Sequence, residues 1–248
     1  MTAPTASPEQ ANPDAWGISL ARSRKEQFSA SNHVLASVDG FLEAPELVIS
    51  QAVLQNFAKF TPQYPGVRAP LDPAVCRMWL GNLAPLLDQW FGPYGRPWEM
   101  QAWFSLVTVP PSELAPIQRL PHVDGTDPAQ IAMMLYLHRT SPRNTHGGTA
   151  FFRHRSTGLE SLTAADYPRY AAAVQADVGR IGLPPAVYTT DGAPHFERTH
   201  TVPGTFNSAV FYRGNILHSG VIDNAAPLSA DPREGRLTIN AFFRPAAG

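Results

Sequence analysis

The spacing of hydrophobic residues changes at about residue 98 of this chain. Before that point, the stretches 45–60 and 72–91 carry apolar residues at intervals that bring them to one side of a helix. The second stretch begins with Asp72-Pro73, a capping residue followed by one that suits the first helical turn, and Gly92-Pro93 ends it. The pattern therefore predicts two helices in the N-terminal part of the chain.

Beyond that point the apolar residues come in short runs, rich in β-branched and aromatic side chains, with turn residues between them. The segment 212–215, Tyr-Arg-Gly-Asn, is predicted to form a hairpin turn between two of these strands. Residues 156–204 interrupt the series, and within them we predict one helix over 164–180 and a proline-rich loop. The predicted strands are 103–109, 131–138, 148–153, 209–212, 216–221 and 237–243.

Helices followed by a run of strands are typical of α+β proteins, and here they favour a β-sandwich or barrel backed by helices. A chain of 248 residues, 44% of them hydrophobic, suffices for one core. We assign a single domain to 16–248, with helical support over 16–97 and a core over 98–248 that carries an insertion at about 156–204. Residues 1–15 are small and polar and are predicted to form a disordered tail.

Charge and cysteine content exclude several classes of protein. The 19 Lys plus Arg are balanced by 20 Asp plus Glu, so the basic excess of nucleic-acid-binding proteins is missing. The single cysteine, Cys76, excludes an intrachain disulfide framework and a cysteine-rich zinc site. The start of the chain lacks a secretory signal, and the longest apolar run, 131–137, is too short to span a bilayer. We expect a soluble, cytoplasmic protein without nucleic-acid or membrane partners.

Two His-x-carboxylate triplets are the first candidates for chemistry: His122-Val123-Asp124 and His195-Phe196-Glu197. On this composition about one such triplet is expected by chance. On extended backbone the spacing places both side chains on one face. Together with a distant histidine they form the facial triad of non-haem Fe(II) oxygenases, which leaves coordination positions open for other ligands. The second triplet lacks the strand pattern that follows the first, so we interpret it as part of the insertion.

The segments that follow His122-Val123-Asp124 form an ordered set. After it come a strand ending Leu-Tyr-Leu-His, a Gly-Gly-Thr-Ala-Phe motif, a distal histidine on a strand, and an arginine at the start of the last strand. This set resembles the prolyl 4-hydroxylase-like branch of the Fe(II)/2-oxoglutarate-dependent dioxygenases, over about residues 100–244. The segments concerned are 122–124, 133–138, 147–152, 216–221 and 235–243.

The resemblance implies a double-stranded β-helix (jelly-roll) core with supporting N-terminal helices, Fe(II) as metal and 2-oxoglutarate as cosubstrate. By position, His122, Asp124 and His218 match the iron ligands of the family. Arg236 matches the residue that holds the distal carboxylate of 2-oxoglutarate, and a guanidinium suits that role because it is always charged and binds carboxylates bidentately. The positions that help to bind the same carboxylate are matched by Tyr136 and, more weakly, by Thr149.

The last predicted strand alternates in character. Its residues fall into two alternating sets. The first set could line a cavity, and the second could pack outward against helices. The sets are Arg236, Thr238, Asn240 and Phe242, and Leu237, Ile239, Ala241 and Phe243.

The function implied is an Fe(II)- and 2-oxoglutarate-dependent oxygenase that hydroxylates an amino-acid-like, peptidyl or small-metabolite substrate. Two alternatives remain open: a non-catalytic, cupin-like barrel, and a zinc- or manganese-dependent hydrolase or isomerase with the same three ligands. Arg236 argues against the first, because a non-enzymatic barrel has no need of a buried cation facing the metal, and conversion of 2-oxoglutarate to succinate would exclude the second. Arginines of the insertion, such as Arg169, Arg180 and Arg198, could meet an anionic substrate, although a solvated helix face is the favoured interpretation.

Overall fold

The computed structural model describes residues 13–140, 146–189, 191–192 and 194–246. Most of the tail predicted to be disordered, residues 1–12, lies outside these ranges. Pro13–Trp16 form one turn of 3-10 helix, in which Ala15 and Trp16 are buried. The carbonyl oxygen of Trp16 accepts a hydrogen bond of 2.8 Å from the indole of Trp79. The packed part of the chain therefore begins before residue 16.

Within the described residues the chain forms three α-helices and ten strands. The helices are α1 (Pro45–Val53), α2 (Pro73–Phe91) and α3 (Tyr167–Ile181). The strands are β1 (Ser23–Phe28), β2 (His33–Asp39), β3 (Gly66–Pro70), β4 (Trp98–Val107), β5 (Ile131–Tyr136), β6 (Thr149–His154), β7 (Phe196–Val202), β8 (Ser208–Arg213), β9 (His218–Gly220) and β10 (Leu237–Pro245).

Two antiparallel sheets make up the core, and they define an α+β fold with a double-stranded β-helix, or jelly roll. The larger sheet has the order β1-β2-β8-β5-β10-β4-β3, and the smaller one has the order β7-β6-β9. From β5 onward the chain passes back and forth between the sheets: β5, β8 and β10 lie in the large sheet, whereas β6, β7 and β9 lie in the small one. The fold class predicted from the sequence is confirmed.

The large sheet buries its outer face against the helices. Trp79, Leu83 and Leu87 of α2 are fully buried in the same cluster as alternate residues of β5, β8 and β10. The helix begins as predicted, since the Asp72 carboxylate accepts a hydrogen bond of 2.7 Å from the backbone of Ala74. The opposite face of the large sheet looks toward the small sheet, and this is where polar side chains gather.

Three strands, β1, β2 and β3, lie in the region 16–97 that we predicted to be helical support. Every residue of β1 except Phe28 is exposed, so the strand has no alternation of buried and exposed positions to reveal it. The sequence of β3, Gly-Val-Arg-Ala-Pro, contains two residues that weaken strand propensity, and the strand lies at an edge of the sheet where both are tolerated. The first predicted helix also ends earlier, at Val53 rather than residue 60.

Two further predictions need correction in the second half of the chain. The turn at 212–215 forms, but β8 and β9 on its two sides belong to different sheets, so the segment is a crossover and not a hairpin. The insertion 156–204 contains α3, close to the predicted 164–180, and also β7, which pairs with β6 in the small sheet. The end of the predicted insertion is therefore a strand of the jelly roll.

Candidate metal centre

His122, Asp124 and His218 lie together between the two sheets. Each offers one ligand atom, and the three atoms lie within 4.8 Å of one another. One Asp124 oxygen is 3.4 Å from Nε2 of His218, and the other is 3.8 Å from Nε2 of His122. The three predicted ligands are thus brought to one point, although they come from distant parts of the sequence.

Backbone pairing fixes this convergence. His122 and His218 form an antiparallel bridge in which each amide donates to the other's carbonyl oxygen at 2.9 Å. The amide of Asp124 donates to the carbonyl oxygen of Gly214 at 2.8 Å. The loop before β5 therefore adds itself to the edge of the small sheet, and the i, i+2 spacing directs both of its polar side chains to the same side.

The two imidazoles are prepared for coordination in different ways. Nδ1 of His218 lies 2.8 Å from the carbonyl oxygen of Ile216, an arrangement that leaves Nε2 facing Asp124. Burial, with further contributions from His218 and Arg68, lowers the pKa of His122 to about 3. The side chain keeps 52% of its accessible surface, but that surface faces the pocket. Protein atoms beyond the first contacts still surround the ring, and this burial lowers its pKa. A neutral imidazole is the form that binds a metal.

Asp124 completes the donor set. Burial raises the pKa of its carboxyl group, and this is opposed by the electrostatic contributions of His218, Arg68 and Arg244. Two imidazole nitrogens and one carboxylate on one side of a cavity are the donors of the facial triad, with the remaining positions open to the cavity. These residues fit Fe(II), and the same donors suit Zn²⁺ and Mn²⁺.

The triad opens into a cavity of about 640 Å³, within the range of roughly 300–1,000 Å³ usual for small-molecule sites. Both sheets line it, and α3 of the insertion covers one side with Tyr167, Tyr170 and Val174. The insertion thus forms a wall of the pocket. Arg169, Arg180 and Arg198 do not line the pocket formed by the described residues; Arg180 pairs with Asp177, and Arg198 pairs with Asp191.

Arg236 lines the same cavity although only 3% of its surface is exposed. Its guanidinium donates to the carbonyl oxygens of Gly147, at 3.2 Å, and Gly148, at 2.8 Å. No carboxylate among the described residues forms an ion pair with it. Burial lowers its pKa, with nearby tyrosines such as Tyr136 and Tyr64 acting in the opposite direction, but a guanidinium stays charged at neutral pH. The site therefore contains a buried cation that lacks an anion.

The Gly147-Gly148 pair makes this arrangement possible. A Cβ atom on Gly148 would lie 2.0 Å from the carbonyl oxygen of Val202, and one on Gly147 would lie 2.9 Å from the side chain of Val221. Glycine is therefore required for the chain to pass between its neighbours while both carbonyl oxygens point to Arg236. The motif identified in the sequence serves to hold the guanidinium in place.

Tyr136 and Thr149 share a hydrogen bond of 2.8 Å between their hydroxyl groups. Thr149 lines the cavity, whereas Tyr136 is fully buried behind it. Burial raises the pKa of Tyr136 to about 12, so its phenol stays protonated. Thr149, the weaker of the two sequence matches, thus lines the pocket directly. Tyr136, the stronger match, reaches it only through Thr149.

The alternation predicted for the last strand is confirmed. The members of its first set line the cavity, and those of its second set are buried in the helix-backed cluster. Thr238 donates a hydrogen bond of 2.8 Å to the side-chain oxygen of Asn240. The period-two pattern of β10 therefore separates a binding face from a packing face.

Sequence reasoning missed Arg68 and Tyr64, which also line the cavity. Both lie before residue 98, in the part of the chain assigned to helical support. Arg68 follows a single valine in an edge strand between a glycine and a proline, so no hydrophobic pattern singles it out. The signal that could have found it is its charge within an otherwise uncharged segment, 60–71.

Fold and site together describe a protein with a two-sheet jelly-roll core and a His-Asp-His cluster in its pocket. The chain belongs to the family of unknown function DUF6445, whose model matches residues 20–243. Comparison with curated proteins gives no match. In the described part of the chain, no helix combines the length and the apolarity needed to cross a membrane.

Solved structures with a similar fold include a prolyl-4-hydroxylase (P4H) from Pseudomonas putida, with 15% identity over 88% of this chain and 95% of that chain and a TM-score of 0.44. HygX from Streptomyces hygroscopicus, with nickel and 2-oxoglutarate bound, shares 12% identity over 86% and 83%, with a TM-score of 0.47. The non-heme alpha-ketoglutarate-dependent epimerase SnoN from nogalamycin biosynthesis shares 15% over 86% and 78%, with a TM-score of 0.43. Similarity at this level leaves activity to be inferred from the site residues.

Proposed function

We propose that this protein is an Fe(II)- and 2-oxoglutarate-dependent oxygenase that hydroxylates a C–H bond of a small-molecule or peptidyl substrate. One observation carries the proposal: a facial-triad donor set lines the same cavity as a buried arginine that pairs with no carboxylate of the described residues. A metal-binding barrel without a cosubstrate would gain nothing from burying that cation, because an unpaired buried charge costs free energy.

His122, Asp124 and His218 would hold the iron, which when bound supplies oxygen-activating chemistry that side chains cannot perform. Arg236 binds the distal carboxylate of 2-oxoglutarate, and Thr149, backed by Tyr136, adds a hydroxyl donor to the same group. The apolar walls keep water from the reacting atoms. In the net reaction O₂ gives one oxygen atom to the substrate C–H and one to succinate, and CO₂ leaves from 2-oxoglutarate.

The decisive experiment measures cosubstrate binding before turnover. Calorimetry with Mn²⁺, a stand-in for Fe(II) that does not turn over, should show 2-oxoglutarate binding that requires the metal. Aerobic incubation with Fe(II), 2-oxoglutarate and candidate substrates should then yield succinate. The variant Arg236→Leu should weaken this binding of 2-oxoglutarate. Its matched control is Arg233→Leu, because Arg233 is exposed and lies three residues before Arg236 in the chain.

A zinc- or manganese-dependent hydrolase with the same ligands is the competing function. It predicts metal binding without any affinity for 2-oxoglutarate, in the wild type as in Arg236→Leu. Failure of 2-oxoglutarate to bind the metal-loaded wild type would contradict the oxygenase proposal.

A further inference from the structure

A second arginine, Arg68, faces the cavity from the edge strand β3. Its neighbour Val67 packs against the helix-backed cluster, so the alternation of the strand turns Arg68 toward the opposite face, where it lines the pocket. In the sheet, Arg68 is paired with Ser105 of β4, which is paired in turn with Thr238 of β10. Arg68 thus lies two strands, or roughly 10 Å, from β10, the strand that Arg236 directly precedes.

The guanidinium of Arg68 forms no ion pair with any of the described residues. Its Nε is buried without a hydrogen-bond partner, and among the described residues no carboxylate forms an ion pair with it. Its central carbon lies 4.1 Å from the ring centre of Tyr64, a stacking that orients the guanidinium plane without neutralising it. Burial lowers the pKa of Arg68, and Tyr64 and Asp124 act in the opposite direction.

Metal binding would leave the positive charge of Arg68 less compensated. Asp124 is the carboxylate whose charge acts on Arg68 across the pocket. Once Asp124 coordinates a cation, its negative charge is taken up there, and Arg68 loses the compensation it receives at a distance. A half-buried guanidinium whose buried Nε–H has no acceptor, and which forms no ion pair among the described residues, is a site prepared for an oxyanion.

The cosubstrate cannot serve as that anion while it is held elsewhere. A 2-oxoglutarate molecule bound at the metal and at Arg236 uses both of its carboxylates. Even at the roughly 30 Å³ that a water molecule takes in the liquid, its roughly ten non-hydrogen atoms would fill at most about half of the cavity. The remaining space is bounded by apolar side chains of the loop before β5, of the segment after β6 and of α3: Leu120, Val123, Leu162, Tyr170 and Val174.

We propose that Arg68 binds a carboxylate of the primary substrate, which is therefore a small organic acid with an apolar body. This inference rests on the proposed function, since it takes Arg236 to be occupied by the cosubstrate. Arg68 acts as a specificity-determining residue: the planar guanidinium anchors the acid group on the large sheet, and the apolar walls direct the rest of the molecule toward the triad.

The test compares acids with their own amides, because each pair differs in charge and hardly in shape. The probes are hexanoate, 3-phenylpropionate, N-acetyl-L-leucine and N-acetyl-L-phenylalanine, each beside its primary amide. Dissociation constants are measured by calorimetry on full-length protein loaded with Mn²⁺ and saturating 2-oxoglutarate, so that the Arg236 position is filled. Arg68→Met keeps a stem over Tyr64 and removes the charge, Arg68→Gln is a second neutral variant, and Arg77→Met is the control on an exposed helix surface.

At least one acid should bind the wild type and Arg77→Met about 10-fold or more tightly than its amide, as expected for a hydrogen bond between charged groups. The ratio should fall to about one in Arg68→Met and Arg68→Gln, and Arg68→Lys should restore part of it. Acids and amides that bind alike throughout the set, no binding by any acid, or a preference that survives in the neutral variants would overturn the proposal.

The same titrations separate this inference from the proposed function. Arg68→Met should bind 2-oxoglutarate like the wild type; a loss as large as that in Arg236→Leu would make Arg68 a cosubstrate residue and overturn the assignment. If 2-oxoglutarate does not bind the wild type at all, the proposed function fails. The acid-to-amide ratio can then still be measured in an Arg236→Leu background, where Arg68 is the cation under test.

Discussion

The two faces of the large sheet differ in the side chains that they bury: one is apolar and tightly packed, and the other carries charged groups. On the helix-backed face, Leu237, Ile239 and Phe243 are fully buried among the aromatic and aliphatic residues of α2. On the pocket face, Arg236 and Arg68 carry charges that no carboxylate of the described residues neutralises. The first face is arranged for stability, whereas the second leaves polar groups free to bind something that the chain itself does not provide.

The contrast implies that packing on the helix-backed face offsets the free-energy cost of the unpaired charges on the pocket face. A buried charge without a partner is unfavourable, and proteins retain such groups where a ligand completes them. Packing of apolar area behind the sheet contributes about 25 cal/mol per Å² removed from water, which allows the pocket face to remain incomplete. Substitutions on the two faces should therefore have separable effects on stability and on binding.

Asp124→Ala should have the largest effect of all, and it should act on the pocket face alone. Loss of one of three donors should weaken metal binding by at least about 100-fold and abolish succinate formation. Unfolding should be almost unaffected, because the carboxyl group removed is one whose pKa burial raises. Calorimetric titration with Mn²⁺ and thermal unfolding measure the two effects.

The control for this variant is Asp127→Ala, which removes an exposed carboxylate three residues further along the loop. It should bind metal like the wild type. Wild-type metal affinity in Asp124→Ala would remove Asp124 from the centre.

Phe243→Ala and Phe242→Ala compare the two faces at adjacent positions of β10. Phe243 is fully buried beside Phe211, so its truncation should lower the free energy of unfolding by about 3–5 kcal/mol. Phe242 is partly buried and lines the cavity, so its truncation should cost about 1–2 kcal/mol and change substrate affinity instead. Denaturant unfolding checks both values, and equal losses at the two positions would contradict the division of the sheet.

Arg236→Leu should raise the apparent KM for 2-oxoglutarate by an amount equivalent to about 2–5 kcal/mol, since it removes a buried charge-assisted contact. Metal affinity should hardly change, because Arg236 is not a ligand. The fold should tolerate leucine, since the guanidinium contacts two backbone carbonyl oxygens rather than a charged partner. A variant that uses 2-oxoglutarate normally would place the cosubstrate elsewhere.

His138→Asn removes a buried histidine just beyond the end of β5 and should have the smallest effect. Burial, with help from Arg236, lowers the pKa of His138 to about 3. Because the unfolded chain takes up the proton first, stability is complete above the usual pKa of about 6.5 and is lost as pH falls from there toward about 3. At about pH 5 the loss amounts to about 2 kcal/mol.

The asparagine variant should therefore show a smaller drop in Tm between about pH 8 and pH 5 than the wild type, by about 4–8 °C. Measurement at the higher pH is the internal control, since both proteins are neutral at this position there. An unchanged drop would mean that His138 does not contribute to acid sensitivity.

Local patterns in the sequence predicted several parts of this molecule well. The capped and proline-started pattern at Asp72 predicts the start of α2, and the alternation over 237–243 predicts which side chains of β10 face the pocket. The His122-Val123-Asp124 spacing places two polar side chains on one side of the chain, and the structure has them there. Each of these features depends on neighbours within a few residues, which is the range over which periodicity carries information.

What the sequence by itself determined is thus the class of fold, the polar and apolar faces of single elements, and a short ordered set of candidate residues. Only the tertiary structure decided which strands meet: that the bridge to His122 brings His218 to Asp124, that the chain crosses between sheets at 212–215, and that β3 brings Arg68 to the pocket. These depend on pairings between segments far apart in the chain. The free energy of such pairings comes from the packing of whole sheets and leaves no periodic trace in the segments themselves.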